Sequence, residues 1–204
     1  MKLSTLRLSL LALVLCAVPP VISAAKVGEA APEFTGTASN GKMFHLSDYR
    51  GKFVVLEWHN NGCPFVGKHY NSGNMQRLQK QWTGQGVVWF TILSSAPGKQ
   101  GYVTAMEEND YLTKMQAAPT AAVLDPTGAI GHLYDAKTSP QMVVINPQGV
   151  VIYDGAIDNR PTTDPNDVPG ATNYVNLALE QAMAGKPVET PATPPYGCSV
   201  KYGH

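Results

Sequence analysis

The chain has 204 residues, 44% of them hydrophobic and 15% charged, with 15 basic side chains against 15 acidic. That much apolar material supports one packed domain and excludes wholesale disorder. A formal net charge of zero offers no basic footprint for nucleic acid and no single-signed face for a membrane surface.

In chain order, the first element is a targeting signal. Lys2 and Arg7 precede an apolar run from Leu8 to Val18, and Ser23-Ala24-Ala25 supplies small residues for cleavage. Residues 1–25 therefore read as a secretory signal peptide. The apolar run stops at Pro19-Pro20 and is too short to cross about 30 Å of hydrocarbon, so no membrane span is expected after its removal. The expected location is periplasmic or secreted. Removal also takes Cys16, which leaves two cysteines, Cys63 and Cys198. In an oxidising compartment two such cysteines can pair and persist.

From Lys26 onward, short β-branched runs alternate with longer amphipathic stretches. Phe53 to Glu57 and Val87 to Leu93 read as buried strands, and Ala121 to Leu124 as a third. Met142 to Ile145 and Val150 to Tyr153 flank Asn146-Pro147-Gln148-Gly149, a turn sequence that makes them a hairpin. Phe65 to Trp82, Thr104 to Met115 and Tyr174 to Ala184 have helical character, the last stopped by Gly185 and Pro187. Strands separated by helices imply crossovers and parallel pairing, with the late hairpin adding an antiparallel strand, so the class is α/β. Residues 26–185 form the expected domain. Residues 186–204, with Pro187, Pro191, Pro194 and Pro195, form an extended arm that carries Cys198.

The chemistry centres on Cys63-Pro64, between a strand and a helix. Proline suits the first helical position because its missing N–H has no partner to lose there. Cys63 then sits at the N-cap, where unpaired amides and the positive end of the helix dipole favour a thiolate, the nucleophilic form. The alternative is a small buried hydrophobe. Lys68 adds positive potential or is simply solvated, and His59 and His69 are either proton donors or ordinary surface histidines.

The segment Val54-Val55-Leu56-Glu57-Trp58-His59-Asn60-Asn61-Gly62-Cys63-Pro64-Phe65-Val66 resembles the active-site segment of thioredoxin-like proteins. It is closer still to the peroxiredoxin-like redoxin group, the alkyl hydroperoxide reductase/thiol-specific antioxidant (AhpC/TSA) superfamily. Val27 to Phe34, Leu46 to Lys52 and Thr138-Ser139-Pro140 extend the resemblance over most of the remaining chain. It implies a thioredoxin-like fold, a central mixed sheet flanked by helices, and a thiol oxidoreductase without cofactor or metal. Its partners would be a peroxide or disulfide substrate and a thiol reductant. It also implies that Pro140 is cis and lies against the reactive sulfur, and that Glu57 is a buried carboxylate that shuttles a proton. The alternative for Glu57 is a strand-end side chain in water.

Three departures limit the analogy. Val66 stands where thioredoxins carry a second cysteine, so exchange within a Cys-x-x-Cys motif is excluded. Asn60 and Leu56 stand where typical peroxiredoxins place Thr or Ser and Pro. Ser139-Pro140 stands where they place an arginine, and peroxide cleavage needs a cation or donors on the leaving oxygen. Arg160, in the loop Gly155 to Pro161, is the candidate for that role, with a plain surface arginine as the alternative. Similar Gly-Cys endings occur in the resembled group, where a residue placed like Cys198 is a candidate resolving thiol. An arm of about 3.1 Å per residue is long enough to bring it across the domain. A non-catalytic binding module with a Cys63–Cys198 structural disulfide, and a protein thiol–disulfide exchange factor, are the competing functions.

Overall fold

The computed structural model describes residues 24–203. The signal peptide reading, apart from its last two residues, and His204 lie outside the described residues.

The core strand β3 (Val54–Trp58) is buried over its whole length, which explains its nearly unbroken apolar sequence. It pairs in parallel with β4 (Val88–Leu93), which pairs in parallel with β5 (Ala121–Leu124). On its other side β3 runs antiparallel to β7 (Gln141–Ile145), whose hairpin partner is β8 (Val151–Gly155). A hairpin of β1 (Thr35–Ala38) and β2 (Met43–His45) completes a seven-stranded mixed sheet in the order β2-β1-β5-β4-β3-β7-β8. This first hairpin escapes the sequence reading because its strands are only four and three residues long, with alternate residues buried.

Helices cover both faces. One face carries α1 (Pro64–Asn71), α2 (Asn74–Thr83) and α5 (Tyr174–Met183), packed on Val55, Trp89, Met142 and Val144. The opposite face buries Leu56, Trp58, Phe90 and Val143 under Phe34, Phe44 and Ile130, the last from α4 (Ala129–Leu133). The single helix expected from Phe65 to Trp82 is two helices. Gly73 breaks it at φ 71°, a left-handed conformation that glycine adopts without steric cost. The helix α3 (Ala105–Met115) begins as read, with Thr104 and Glu107 forming a reciprocal N-terminal cap.

The arm beyond Gly185 is extended, as expected, and is docked over most of its course. It runs along the edge strand β8, where the Asp154 amide donates to the Pro191 carbonyl at 3.1 Å and the Thr193 amide returns to Asp154 at 3.2 Å. A two-stranded ladder of β6 (Thr138–Ser139) and β9 (Cys198–Ser199) follows. Tyr202 then stacks on His132 at 4.0 Å and donates to the Ala136 carbonyl at 2.7 Å.

Candidate thiol redox site

The turn between β3 and α1 is shaped by Asn60. Its side-chain oxygen accepts from the Gly62 amide at 2.9 Å, its carbonyl accepts from the Cys63 amide at 3.0 Å, and its amide group donates to Gln100 Oε1 at 2.9 Å. Cys63 is the N-cap of α1 and Pro64 its first residue. The sulfur, however, makes no capping hydrogen bond to the helix amides. It points across the sheet end, donating to the Ser139 carbonyl at 3.0 Å, with Cys198 Sγ 2.6 Å away. Both are free cysteines, Cys63 buried and Cys198 partly exposed.

Two segments bring Cys198 to that position. The Ser139–Pro140 peptide is cis, the geometry implied by the resemblance. Opposite it, Ser139 and Cys198 are register partners in the β6–β9 ladder. Gly197 permits the approach: at φ 143° it adopts a conformation that side chains disfavour, and a Cβ there would lie 2.1 Å from the Ser139 carbonyl oxygen. Burial pushes the Cys198 thiol up to about 11, and the hydrogen bond and charge of Cys63 add to the effect. Cys198 is thus held in its protonated form at neutral pH.

Behind the cysteines, on the same face of the sheet, Glu57 is fully buried. Its Oε2 accepts from Trp89 Nε1 at 2.8 Å and Gln79 Nε2 at 3.1 Å, and its Oε1 accepts from Tyr70 at 2.9 Å. These donors explain how a carboxyl is tolerated in the core. The alternative of a strand-end glutamate in water does not hold. His59 is also buried, with Nδ1 3.4 Å from Glu57 Oε1 and Nε2 2.6 Å from Asn61 Oδ1. Asn61 in turn donates to the buried Glu108 at 3.2 Å.

A second buried cluster secures the arm. Lys68 Nζ donates to the Arg160 carbonyl at 2.6 Å and lies 3.5 Å from Asp158 Oδ2. Tyr196 donates to Asp158 Oδ1, rests its ring 5.8 Å from that of Phe65, and lies 3.3 Å from His69 Nε2. Asn74 engages the other His69 nitrogen at 2.9 Å. Burial pulls His69 down to about 4, against the pull of Asp158 and with the help of Lys68.

The surface readings of His59, His69 and Lys68 are therefore corrected: all three are buried and paired. Lys68 meets Arg160 92 residues away and His69 meets Tyr196 127 residues away, so no local pattern marks them, whereas His59 bonds to Glu57 and Asn61, each two residues away. Asp158 and Tyr196 carry no local signal either, since they meet each other and Lys68 only across the fold. Arg160 is exposed, and what it contributes to the buried cluster is its backbone carbonyl. A cavity of about 380 Å³ lies between Val27, Phe53, Val151, Ala182 and Val188 and touches neither cysteine. A smaller one of about 230 Å³ opens beside Gly101, whose backbone packs against Asn60 of the β3–α1 turn.

The architecture has close counterparts. An uncharacterized conserved protein from Geobacillus kaustophilus superposes with a TM-score of 0.77 at 24% identity, covering 87% of this chain and 93% of its own. A hypothetical protein from Sinorhizobium meliloti 1021 gives 0.77 at 19% identity, covering 89% and 97%. A secreted Mycobacterium tuberculosis disulfide oxidoreductase, homologous to E. coli DsbE, gives 0.50 at 19% identity, covering 67% and 92%. At these identities the likeness is one of fold, and the fold is thioredoxin-like. Among curated proteins no sequence relative matches the chain. The profile of the AhpC/TSA family does match, over residues 27–154, a stretch that holds the Cys63 corner, the buried Glu57 and the cis Pro140; the chain belongs to the AhpC/TSA family.

Proposed function

We propose that this protein is an exported thiol oxidoreductase that cycles between a Cys63/Cys198 dithiol and a disulfide within one chain. The observation that carries the reading is the 2.6 Å separation of two sulfurs contributed by segments 135 residues apart. Export rests on the pattern of residues 1–25.

Cys63 is the nucleophile and Cys198 the resolving thiol. The Cys63 thiolate attacks one sulfur of a substrate disulfide, a Cys63–substrate disulfide forms, and the first substrate thiolate leaves. Cys198 then loses its proton and attacks Cys63 Sγ. The Cys63–Cys198 bond forms, the second substrate thiolate leaves, and the two thiolates take up the protons released. Two electrons have passed from the protein to the substrate, and an external thiol reductant restores the dithiol. Pro140 shapes the wall of the sulfur pocket, and Glu57 serves the proton traffic from the layer behind it.

A disulfide suits the site better than a peroxide. The hydrogen-bond partners of Cys63 Sγ among the described residues are a carbonyl and the other sulfur, and neither supports a leaving oxygen. Arg160 is exposed and would have to fold inward to polarise an O–O bond. Family membership favours the peroxide reading, so the test separates the two. Fully reduced protein is mixed with one equivalent of oxidised glutathione or of hydrogen peroxide, and intact mass is followed from seconds to minutes. Loss of two hydrogens with glutathione, with a glutathione adduct trapped at Cys63 in Cys198→Ser, supports disulfide exchange. Fast oxidation by peroxide alone, with oxygen added at Cys63 in Cys198→Ser, replaces it with a peroxidase. Thiols inert to both oxidants, or a native disulfide that resists dithiothreitol, would sink both readings in favour of a structural staple.

A further inference from the structure

Glu57 is one end of a longer buried chain of polar groups. From Glu57 the chain continues through His59 and Asn61 to Glu108 on α3, with contacts of 3.4, 2.6 and 3.2 Å. Its direction follows from what each group can donate. The Glu108 carboxylate accepts from the Asn61 amide nitrogen, which turns the Asn61 oxygen toward His59 Nε2. An amide oxygen only accepts, so Nε2 must carry a hydrogen. Any proton that the imidazole gains or loses is then at Nδ1, the nitrogen that faces Glu57 Oε1.

The surroundings isolate that contact. Tyr70 from α1 and Tyr111 from α3 meet the His59 ring edge-on, with centroids 4.9 and 5.2 Å away. Burial holds both phenols above their ordinary value, so they stay neutral. The charged groups that face His59 are Glu57 from β3 and Glu108 from α3. Glu108 Oε1 is buried without a hydrogen-bond partner, so its remaining interaction with the chain is through charge.

We infer that His59, Asn61 and Glu108 are positioning residues for the thiol chemistry, holding one exchangeable proton on the His59 Nδ1–Glu57 Oε1 contact behind Cys63. This rests on the thiol oxidoreductase reading and deepens it. With the proton in place, the imidazolium and the Glu57 carboxylate cancel. Once it leaves, the layer behind Cys63 is more negative by one charge, which opposes a thiolate. Burial alone would lower the imidazole, but the Glu57 hydrogen bond and charge, the Glu108 charge and the Asn61 hydrogen bond outweigh it and hold it above 6.5. Cys63 reactivity should therefore follow the titration of His59 at Nδ1.

The test uses the full chain. Nitrogen-15 NMR of the histidine rings, with His59 assigned through His59→Gln, reads which nitrogen holds hydrogen across pH. The expected result is Nε2 protonated throughout and Nδ1 titrating above 6.5. In Glu108→Gln and in Asn61→Leu the midpoint should fall, by about 1 pH unit for loss of the carboxylate charge. The pH profile of Cys63–Cys198 disulfide formation with oxidised glutathione should carry an inflection that moves with it. A neutral His59 with hydrogen on Nδ1, or a profile that Glu108→Gln leaves unmoved while the wild type still turns over, overturns the inference. A wild type that forms no disulfide with either oxidant overturns the thiol reading itself. The ring titration then stands as a separate result on the proton alone.

Discussion

Two single residues illustrate how narrowly the site is built. Gly197 lets the arm press edge-on against Ser139, and a methyl group there would overlap the Ser139 carbonyl carbon and oxygen at 2.6 and 2.1 Å. Gly197→Ala should lift β9 from β6 and separate the sulfurs. The expected outcome is Cys63–Cys198 disulfide formation slowed by at least about tenfold, the cost of some 1.4 kcal/mol in the barrier, with the fold intact by circular dichroism. Unchanged kinetics would mean that the ladder does not position Cys198. Glu57 is the second case. Removing its side chain leaves Tyr70, Gln79 and Trp89 donors buried with nothing to bond. Glu57→Ala should cost about 3 kcal/mol in urea unfolding, whatever its effect on thiol chemistry, because buried donors without acceptors carry the full desolvation penalty.

At the scale of elements, the question is what holds the arm. Tyr196 is its anchor, through Asp158, His69 and the ring of Phe65. His69 makes this anchor acid-sensitive, and the sign follows from its direction. When the arm is docked the imidazole is neutral and held at about 4 rather than 6.5. A released, hydrated His69 takes a proton at its ordinary value, so acid favours release. Docking is fully stabilised above 6.5 and weakens as pH falls from 6.5 toward 4. The NMR signals of residues 191–203 should therefore shift to those of a free chain over that interval. Tyr196→Phe, which removes the bond to Asp158, should move the release to higher pH. An arm that stays docked at pH 4 in both proteins would show that the backbone ladder alone retains it.

For the whole molecule, a Cys63–Cys198 bond would join positions 135 residues apart and close a loop that holds β4, β5, β7 and β8 of the main sheet. Oxidation should stabilise the protein against urea by about 5 kcal/mol in the chain-entropy account, because the cross-link restricts the unfolded chain. Comparing unfolding midpoints of the oxidised and reduced forms checks this, and Cys198→Ser should match the reduced form. Equal midpoints would mean that the bond is not formed in solution. The same arm also covers the edge of β8, whose Asp154 backbone is paired on that side with Pro191 and Thr193. An edge so covered is closed to pairing with another chain.

The parts of this protein that its sequence determines by itself are those governed by neighbours along the chain. The buried strands are legible as apolar runs, and the β7–β8 hairpin through the Asn146 to Gly149 turn. The Cys63-Pro64 corner is legible because proline at the first helical position is a local backbone preference. The break at Gly73 is local too, but helical periodicity on both sides hides it. What only the tertiary structure decides is the state of the polar residues. His59, Lys68 and His69 could each have faced water. Lys68 and His69 are buried because Asp158 and Tyr196 reach them from other elements, and His59 because α3 brings Tyr111 and Glu108 against it. Arg160, the cationic candidate of the loop after β8, keeps its side chain exposed. The meeting of Cys63 with Cys198 belongs to the same class. A polar or reactive side chain enters a core only where distant segments supply its partners, and that supply is a property of packing in three dimensions.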